Sequence, residues 1–497
     1  MDVNDSQEAT VWSTTQRIAL VALLAAIFLF HLIMMRESTD WGGDYAQYLN
    51  QARNLTRFHD MNDTGYVYNP DAPVIGPRAY PPLFPVFLAP IYAVFGVDYE
   101  VLKIAMVALL IVTLTICSGY FAKHLSAWYT LALIALIGFM PVFWEFNHWI
   151  ISEHLFVVLW MLAMLLYQRD REDTAQPSHS IPRAVLLGLV IYMAIGTRTV
   201  GIVLPPALIL TELILYRRLT RYMMVSISSA VAFYAIQKVL VPSGGSGYLD
   251  QLSQISVHSI LYNLYADGGS FTYVWDNGYK EALSKASGIL LSLVAIVGCL
   301  RANWPKPQFL FIASILYFIL IVIWPGAAWA RMIWPLYFGF LGWFLYACEK
   351  FPRSNKQRTI ITSLLLLYTF GCYASFYYFA DFSRISGPED EAAQEMFVQV
   401  EQRMGDDPDD VCLFFKPRVL TFYLERKSIG YPIELDNEAA LHRTIDDHNV
   451  KIAVTQSDDP PELPAMLAAE GFTQVWSNQA FQIWQPASKT AEPNPMP

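Results

Sequence analysis

Charged residues are scarce in this chain of 497 residues. Asp, Glu, Lys and Arg make up 15% of it, whereas 55% is hydrophobic. Ordinary soluble domains carry roughly 25% charged residues, so this composition excludes a simple soluble protein. Cysteine is also rare, with five copies and no CxxC pair, and only Cys412 lies in the C-terminal region. That region therefore holds neither an internal disulfide nor a cysteine-rich zinc site.

Several sequence motifs are absent as well. The chain has no HExxH pair and no internal repeat, and its C-terminal region has no glycine-rich phosphate loop, so a nucleotide site there is not expected. From residue 381 onward there are 21 acidic and 9 basic residues, a net charge of −12. Such a region repels polyanions, which excludes nucleic acid as a partner.

Long apolar runs take the place of charge. The first, residues 18–35, lacks a small-x-small cleavage site behind it and is interpreted as an uncleaved anchor. Ten more runs follow, and hydrocarbon forces each of them to be helical. They are residues 100–121, 126–143, 152–168, 184–197, 199–216, 222–241, 287–300, 307–324, 332–348 and 359–379. The pattern predicts a polytopic α-helical membrane protein with about eleven transmembrane helices.

Loop charges predict the orientation, because cytoplasmic loops are enriched in Lys and Arg. With residues 1–17 cytoplasmic, every inside connection is basic, whereas the short outside loops hold only Arg198 and Arg331, together with Lys103 and Lys238 at helix ends. The inside residues are Lys123, Arg169, Arg171, Arg183, Arg217, Arg218, Arg221, Arg301, Lys306, Lys350, Arg353, Lys356 and Arg358. We therefore expect a plasma (inner) membrane protein whose membrane domain spans 18–380, with outside loops at about 36–99 and 242–286.

The segment after the last helix has the pattern of a small soluble α/β domain, which the topology places outside the cytoplasm (381–486). Its strand candidates are 411–415, 427–431, 451–455 and 481–485, and its helix candidates are 418–426, 438–449 and 462–470. Alternating strands and helices indicate a small sheet covered by helices. The Pro- and Ala-containing tail, 487–497, is expected to be flexible.

The first outside loop holds the first candidate site residues. Asp44 follows two glycines, and Tyr45, Tyr48 and further apolar residues recur at helical spacing, which predicts a short amphipathic helix at the membrane interface. Asp44 at its N-terminus is a candidate functional carboxylate, favoured there by the helix dipole, or simply an N-cap. Arg78 and Tyr80 precede two prolines and a short apolar segment, 82–96, interpreted as a juxtamembrane helix.

A third outside segment contains two acids and two histidines: Glu145, His148, Glu153 and His154. Their spacing imitates a metal site, but without HExxH we interpret them as interfacial polar residues. No cofactor is expected and a divalent metal is not indicated, although one is not excluded. Glu153 can also be the cap of the following helix.

Arg198 and Arg331 are lone arginines at outer helix ends, against the charge rule. An arginine near the outer hydrocarbon boundary either extends to solvent or binds an anion. Guanidinium suits phosphate through paired hydrogen bonds, and two such arginines near outward acids favour an anion site.

Taken in chain order, these features resemble the GT-C superfamily of membrane glycosyltransferases, particularly bacterial protein O-mannosyltransferases and lipid A aminoarabinose transferases. The likeness covers about 18–380 and rests on the order and outward location of these segments: 43–48, 80–83, 95–96, 141–156, 198 and 331–336. One departure is Tyr80, which stands where the aminoarabinose transferases have a lysine before Pro-Pro; Arg78 is a possible substitute. Another is Glu145, which competes with Glu153 for the second acidic role.

The resemblance implies a sugar donor carried on polyprenyl phosphate, and a lipid, glycan or protein acceptor at the outer face of the membrane. Asp44 is then the candidate base and Glu153 the second catalytic acid, while Arg331 and Arg198 hold the leaving phosphate. The remaining candidates for substrate binding are Tyr45, Tyr48, Arg78, Tyr80, Glu145 and His148.

Three other functions stay open at this stage. A transporter or lipid flippase predicts ionisable residues near the bilayer midplane, whereas here the charges collect at outer helix ends. A glycan polymerase or ligase shares the donor chemistry but needs a longer acceptor groove. A binding scaffold whose C-terminal domain is the working part predicts no effect from changing Asp44.

Overall fold

The computed structural model describes residues 12–172, 181–241, 255–278, 281–324, 330–405, 407–432 and 437–487. The chain divides into two compact units. Of the described residues, those within 12–36, 100–241 and 255–383 form the helical unit, and those within 37–99 and 384–487 form the sheet unit. Most of the predicted tail, 487–497, and much of the N-terminal segment 1–17, which is predicted to be cytoplasmic, lie outside the described residues.

Helices dominate the described chain. In order they are α1 (Thr14–Ile33), α2 (Gly43–Thr56), α3 (Leu83–Phe95), α4 (Tyr99–Phe121), α5 (Ala127–Gly138), α6 (Pro141–Phe146), α7 (Glu153–Glu172), α8 (Ile181–Thr197), α9 (Leu204–Tyr216), α10 (Arg221–Leu240), α11 (Val257–Ser270), α12 (Glu281–Asn303), α13 (Phe309–Ile323), α14 (Trp334–Lys350), α15 (Asn355–Phe379), α16 (Glu391–Arg403), α17 (Pro417–Leu424), α18 (Glu438–Asp447) and α19 (Glu462–Ala469). Short 3-10 turns occupy Pro73–Ile75, Thr199–Val203, Phe271–Trp275 and Ala330–Ile333.

All eleven predicted apolar runs are helical, so the multi-pass membrane character is confirmed. Within the described residues, six helices are long and apolar enough to cross a membrane. They are Thr14–Ile33, Tyr99–Phe121, Thr199–Tyr216, Arg221–Leu240, Ser284–Asn303 and Asn355–Phe379. The count of eleven spans stays a prediction, because several of the other helices are too short for a 30 Å core without tilting or thinning of the bilayer.

Local sequence determines where these helices begin. Ser13 and Gln16 form a reciprocal capping box at the start of α1, and the Thr220 hydroxyl accepts from the Met223 amide at the start of α10. Inside the helical unit, Gly188 of α8 lies so close to α10 that a Cβ there would sit 2.3 Å from the Ser226 carbonyl oxygen. Any larger residue would force these two helices apart.

The sheet unit contains a six-stranded sheet of order β1-β3-β2-β4-β6-β5. The strands are β1 (Tyr66–Val67), β2 (Val411–Phe414), β3 (Lys427–Ile429), β4 (Val450–Gln456), β5 (Phe472–Ser477) and β6 (Phe481–Pro486). The first four in spatial order pair in parallel, and β6 and β5 are antiparallel. The four predicted strands and three predicted helices are all present, but α16, β5 and the contribution of β1 from the first outside loop were not predicted.

Helix α2 is present where predicted, but it does not lie along a surface. Its residues from Tyr45 to Asn54 are all buried, because α2 packs against both α3 and α17. The polar side chains on it are satisfied inside the sheet unit: Gln47 donates to the Arg78 carbonyl at 2.6 Å, and Asn50 donates to the Thr421 hydroxyl at 3.0 Å. The predicted amphipathic surface helix is therefore an enclosed helix.

Candidate functional site

Asp44 lies in the first turn of α2, where the helix dipole favours a negative charge. The N-cap residue of this helix is Gly42, so Asp44 is the second helical residue and not the N-cap. Instead, the Tyr80 hydroxyl donates a hydrogen bond of 2.5 Å to its Oδ1. The structure thus brings together two residues that the sequence singled out separately, 36 positions apart.

Helix α2 fixes the position of Tyr80 through contacts to its backbone and to its ring. Gln51 donates to the Tyr80 carbonyl at 3.0 Å and accepts from its amide at 3.3 Å. The ring lies 4.8 Å from the Tyr48 ring. Because Pro81 and Pro82 stiffen the following chain, the phenol is held in one orientation towards Asp44.

Arg418 completes this group and was missed by the sequence analysis. It is 2% exposed, near the start of α17, and its Nη1 donates to the Tyr80 hydroxyl at 2.5 Å. Nη2 donates to the Pro77 carbonyl at 2.7 Å, and Nη1 lies 3.5 Å from Asp44 Oδ1. The guanidinium also covers the rings of Tyr80 at 4.7 Å and Tyr66 at 4.9 Å.

Arg418 supplies the positive charge of this group. Burial alone lowers the pKa of Arg418, but Tyr80, Tyr66 and Asp44 more than offset this and raise it above the ordinary arginine value. The guanidinium is therefore always protonated and can compensate an ionised Asp44. A hydrogen-bond chain runs from Arg418 through Tyr80 to the carboxylate.

The other candidates of the first loop differ in exposure. Tyr45 and Tyr48 are 3% and 5% exposed and pack among other aromatic rings, with Tyr45 lying 5.7 Å from Tyr99 in an edge-to-face arrangement. The Arg78 side chain is exposed, and its carbonyl accepts from Gln47. Their roles in substrate binding stay predictions, and in this structure Tyr45 and Tyr48 act as packing residues for α2.

Glu153, Arg198 and Arg331 form the second group, inside the helical unit. Glu153 begins α7, and its Oε1 lies 2.5 Å from Arg198 Nη1 and 3.5 Å from Arg331 Nε. Arg198 also donates to the Ser152 hydroxyl at 3.4 Å. The structure thus brings together Glu153, Arg198 and Arg331, which are 45 or more positions apart in the sequence.

Short 3-10 turns position the two arginines. Arg198 precedes the turn Thr199–Val203, and Arg331 belongs to the turn Ala330–Ile333. The second turn is anchored by Tyr317, whose hydroxyl donates to the Met332 carbonyl at 2.6 Å. Each turn leads directly into an apolar helix, Thr199–Val203 into α9 and Ala330–Ile333 into α14, so both arginines lie at the start of a helix.

Two guanidinium groups and one carboxylate meet in this group. The side chains of Glu153, Arg198 and Arg331 are 4%, 14% and 18% exposed, so their charges are poorly screened by water. Guanidinium groups bind phosphate through charge-assisted hydrogen bonds. The arrangement is therefore suited to hold an anionic group such as a phosphate.

His148 and Glu145 are not part of the group of Glu153, Arg198 and Arg331. His148 is 4% exposed, and its ring nitrogens face the backbone carbonyls of Glu145 and Met34 at 3.1 and 3.4 Å. His154 instead joins a buried chain, with Nε2 2.9 Å from Asn147 Oδ1. The hydrogen bonds of these histidines hold the backbone around α6 and α7, and the predicted binding role of His148 stays untested.

Glu145 is exposed and lines a cavity of about 1010 Å³ in the helical unit. Tyr262 and Tyr265 of α11 contribute aromatic walls, Asp276 adds a second carboxylate, and Ala330, adjacent to Arg331, lies at its border. A concave, mostly apolar pocket with a few polar groups is typical of a ligand site. Its volume is near the upper end of the range for small-molecule pockets.

Asp44 and Glu153 do not have the chemical surroundings of metal ligands. Asp44 accepts from Tyr80 beside the Arg418 cation, and Glu153 is paired with two guanidinium groups. Carboxylates compensated by cations are poor ligands for a dication, which adds further positive charge. Within the described residues, no group of three His, Cys, Asp or Glu side chains is arranged to hold a metal. These residues do not fit a resident metal as they are arranged.

No protein-family profile and no curated protein sequence matches the chain. Solved structures do match it over nearly its whole length. ArnT from Cupriavidus metallidurans bound to undecaprenyl phosphate is 14% identical, with a TM-score of 0.60, and the match covers 97% of this chain and 100% of that chain.

Archaeal oligosaccharyltransferase AglB from Archaeoglobus fulgidus, in complex with an inhibitory peptide and a dolichol-phosphate, matches in the same way. It is 12% identical, with a TM-score of 0.59, and the match covers 97% of this chain and 76% of that chain. The same oligosaccharyltransferase with Zn and sulfate gives 12% identity and a TM-score of 0.58, covering 90% of this chain and 69% of that one. The resemblance to GT-C membrane glycosyltransferases is thereby confirmed at the level of the fold.

Proposed function

We propose that this protein is an integral membrane glycosyltransferase that moves a sugar from a polyprenyl-phosphate donor to a lipid, glycan or protein acceptor at the outer face of the membrane. The observation that carries the proposal is the group of Glu153, Arg198 and Arg331, whose two nearly buried guanidinium groups suit a lipid phosphate. It is supported by a fold shared with structures that hold undecaprenyl phosphate and a dolichol-phosphate. The predicted topology, with the N-terminus cytoplasmic and residues 381–486 extracytoplasmic, belongs to the same proposal, as do the predicted membrane domain and its outside loops.

The reaction breaks the bond between the sugar's anomeric carbon and the phosphate oxygen and forms a bond from that carbon to the acceptor oxygen. The acceptor hydroxyl loses its proton to Asp44, and the electron pair of the broken bond leaves with the polyprenyl phosphate. Arg331 and Arg198 stabilise the charge on this leaving phosphate. Since the leaving group is already an anion, the protein supplies mainly positioning, a base and cationic stabilisation.

In this proposal, Arg418 and Tyr80 hold the carboxylate of Asp44 in position. The Tyr80 hydroxyl donates to Oδ1 and the Arg418 guanidinium lies beside the same atom, which fixes the orientation of the carboxylate. Glu153 orients the two arginines between reactions, in addition to its predicted role as second acid. Glu145 and Arg78 are exposed residues available to the acceptor or the sugar.

The structure offers little support for the alternative function of a transporter. Glu212 is the buried acid of α9, but its two oxygens accept hydrogen bonds from Tyr167 at 2.7 Å and Thr220 at 2.6 Å. A carboxylate fully engaged by two hydroxyls serves to fasten helices together and is not available to a moving ion. No specific observation in the described residues favours transport over transfer.

The test is Asp44→Asn in the full-length protein reconstituted in vesicles. Transfer of radiolabelled sugar from polyprenyl-phosphate donors should fall by at least about 10²-fold, because the amide cannot accept the proton. The matched control is Asp71→Asn, which removes an acid of the same loop that pairs with Arg443 at 3.1 Å. Full transfer by Asp44→Asn would remove the base role, and failure of the unmodified protein to use any such donor would refute the proposed function.

A further inference from the structure

The sheet unit contains a crevice of about 430 Å³ at the carboxyl ends of β2 and β4. These two strands are parallel neighbours and end at Phe414 and Gln456. The chain leaves β2 through α17 towards β3 on one side, whereas it leaves β4 through α19 towards β5 and β6 on the other side. Where connections diverge in this way, open α/β sheets bind their ligands in the crevice beyond the strand ends. The topology therefore marks this crevice as a candidate ligand site.

Trp41 is the largest aromatic residue in the lining of the crevice, and it is partly exposed. Its ring lies 5.1 Å from the Phe415 ring and 6.0 Å from the Phe414 ring at the end of β2. The Phe481 ring, at the start of β6, lies 5.8 Å away. These neighbours hold the indole in place, so that it offers a rigid, flat apolar surface to a ligand.

Four polar side chains of the lining have no hydrogen bond or ion pair to the rest of the described chain. They are Gln456, Ser457, Asp458 and Gln479. A carboxylate accepts hydrogen bonds, whereas amides and hydroxyls both donate and accept. The crevice therefore offers donors and acceptors beside an aromatic ring.

The backbone that carries these side chains is fixed by its own hydrogen bonds. The Ser457 amide donates to the Ala480 carbonyl at 2.9 Å. Asn478 Oδ1 accepts from the Ala480 amide at 3.0 Å, which closes the turn that contains Gln479. A ligand that binds here therefore orders little of the chain, and preorganisation of this kind favours binding.

The opposite wall of the crevice is the loop before α16, and Asp390 fixes its shape. This carboxylate accepts from Arg384 Nη1 at 2.8 Å and from the Gly387 amide at 2.9 Å. The same loop packs closely on the chain before Trp41, because a Cβ on Gly387 would lie 2.0 Å from the Thr39 carbonyl oxygen. Both walls of the crevice are thus built from hydrogen-bonded segments.

The lining favours one class of ligand. In the described part of the chain, no Lys or Arg lines the crevice and Asp458 is not paired with a cation, so a phosphate or another anion is disfavoured. Apart from Trp41 and Phe481, the apolar side chains are three alanines, which offer little surface to a lipid chain. A neutral saccharide fits, because its hydroxyls donate and accept hydrogen bonds and its C–H groups pack on an aromatic ring.

We propose that this crevice is a carbohydrate-binding site for a short stretch of a neutral glycan. The glycan packs on Trp41 and exchanges hydrogen bonds with Gln456, Asp458 and Gln479. The inference goes beyond the proposed function, since a glycan can be held here whether or not the chain transfers sugar.

The test is ligand-observed NMR on the full-length protein in nanodiscs, with empty nanodiscs as background. The probes are the neutral trisaccharides maltotriose, mannotriose and chitotriose, and the anionic trigalacturonate. At least one neutral trisaccharide should bind with a Kd of about 10 mM or lower, and trigalacturonate should bind at least about tenfold more weakly. Asp458→Ala and Gln479→Ala should each weaken the tightest neutral trisaccharide about fivefold or more, because each removes a hydrogen bond. Both positions are exposed, so neither change removes a buried contact.

The matched controls are Asp447→Ala at the end of α18 and Gln474→Ala on β5, which remove an exposed carboxylate and an exposed amide outside the crevice lining. They should leave the affinity within about twofold. Equal weakening in the controls, equally tight trigalacturonate or no binding of any neutral trisaccharide would overturn the inference. Binding of triglycine alone, lost in Asp458→Ala and Gln479→Ala, would overturn it in favour of a peptide site. Transfer from polyprenyl-phosphate donors is a separate measurement, so either proposal can fail while the other stands.

Discussion

Arg418 follows Tyr80 by 338 positions in the sequence, yet its guanidinium donates a hydrogen bond of 2.5 Å to the Tyr80 hydroxyl. That hydroxyl in turn donates to Asp44. The proposed base is therefore held by a residue from the C-terminal part of the chain, which shares the sheet unit with the first outside loop. If Asp44 is the base, as proposed, the C-terminal α/β region takes part in the chemistry through Arg418.

The first prediction concerns Arg418. Arg418→Lys keeps the charge but cannot reach Tyr80 and Pro77 with one planar fork, so Asp44 loses its fixed orientation. We expect the rate constant for transfer, kcat, to fall by about tenfold to a hundredfold while donor binding is unchanged. The measurement is kcat against donor Kd for reconstituted protein.

Tyr80→Phe is the companion change, because it removes the bridging hydroxyl and keeps the ring packed on Tyr48. It should lower kcat in the same direction, and the two changes together should cost less than their separate effects combined, since they break one chain. Arg443→Lys, at an exposed ion pair of the same unit, is the control and should leave kcat intact. Additive losses in the double variant would show that Arg418 acts independently of Tyr80.

Sequence patterns found Asp44 and Tyr80 but could not find Arg418. The glycines before Asp44 and the prolines after Tyr80 are local signals, and each marks a backbone position with a definite geometry. Arg418 lies in a short helix behind a buried strand, where a charged residue has no distinguishing spacing. Its importance arises only when β1 of the first loop joins β3 of the C-terminal region in one sheet.

The group of Glu153, Arg198 and Arg331 also shows which features can be predicted from the sequence and which cannot. Arg198 and Arg331 were identified because they violate the loop-charge rule, which is a physical signal in a single sequence. Their meeting at Glu153 depends on how α7 packs beside the two 3-10 turns, and packing of this kind has no sequence period.

The second prediction concerns the ion pair of Glu153 and Arg198, which are 2.5 Å apart and nearly buried. Glu153→Gln leaves two buried guanidinium groups without their carboxylate and should lower the free energy of unfolding by about 3 kcal/mol. Arg198→Met should cost a similar amount, and the double variant should recover part of the loss. Thermal unfolding of the four proteins in detergent measures this cycle; a double variant whose loss equals the two single losses added together would contradict direct coupling.

The third prediction separates Arg331 from ordinary surface arginines. If Arg331 holds the donor phosphate, Arg331→Ala should weaken binding of bare polyprenyl phosphate by about tenfold or more, because a charge-assisted hydrogen bond is lost. Arg301→Ala is the control, as Arg301 is an exposed residue in the last turn of α12. Equilibrium binding to nanodiscs measures both variants. Equal donor affinity in Arg331→Ala and the unmodified protein would remove Arg331 from the phosphate site.

The last prediction is a pH dependence within the sheet unit. Glu425, in the loop after α17, pairs with Arg57 at 2.7 Å and Arg53 at 3.1 Å at the end of α2. The hydrogen bond from Arg57 and the two positive charges lower the pKa of Glu425, although partial burial opposes this. The stabilisation is therefore fully present above the unfolded value of about 4.3 and is lost as pH falls through the lower folded value.

Glu425→Gln tests this by removing the titrating group while keeping its shape. The melting temperature of the variant should lie below that of the unmodified protein at about pH 6, and the two should converge towards about pH 3. Because Glu425 is half exposed, the difference should stay below about 1 kcal/mol. Arg57→Gln should show the same convergence, since it removes the partner of the same pair. A difference that persists unchanged at low pH would place the effect of Glu425 in its packing and not in its charge.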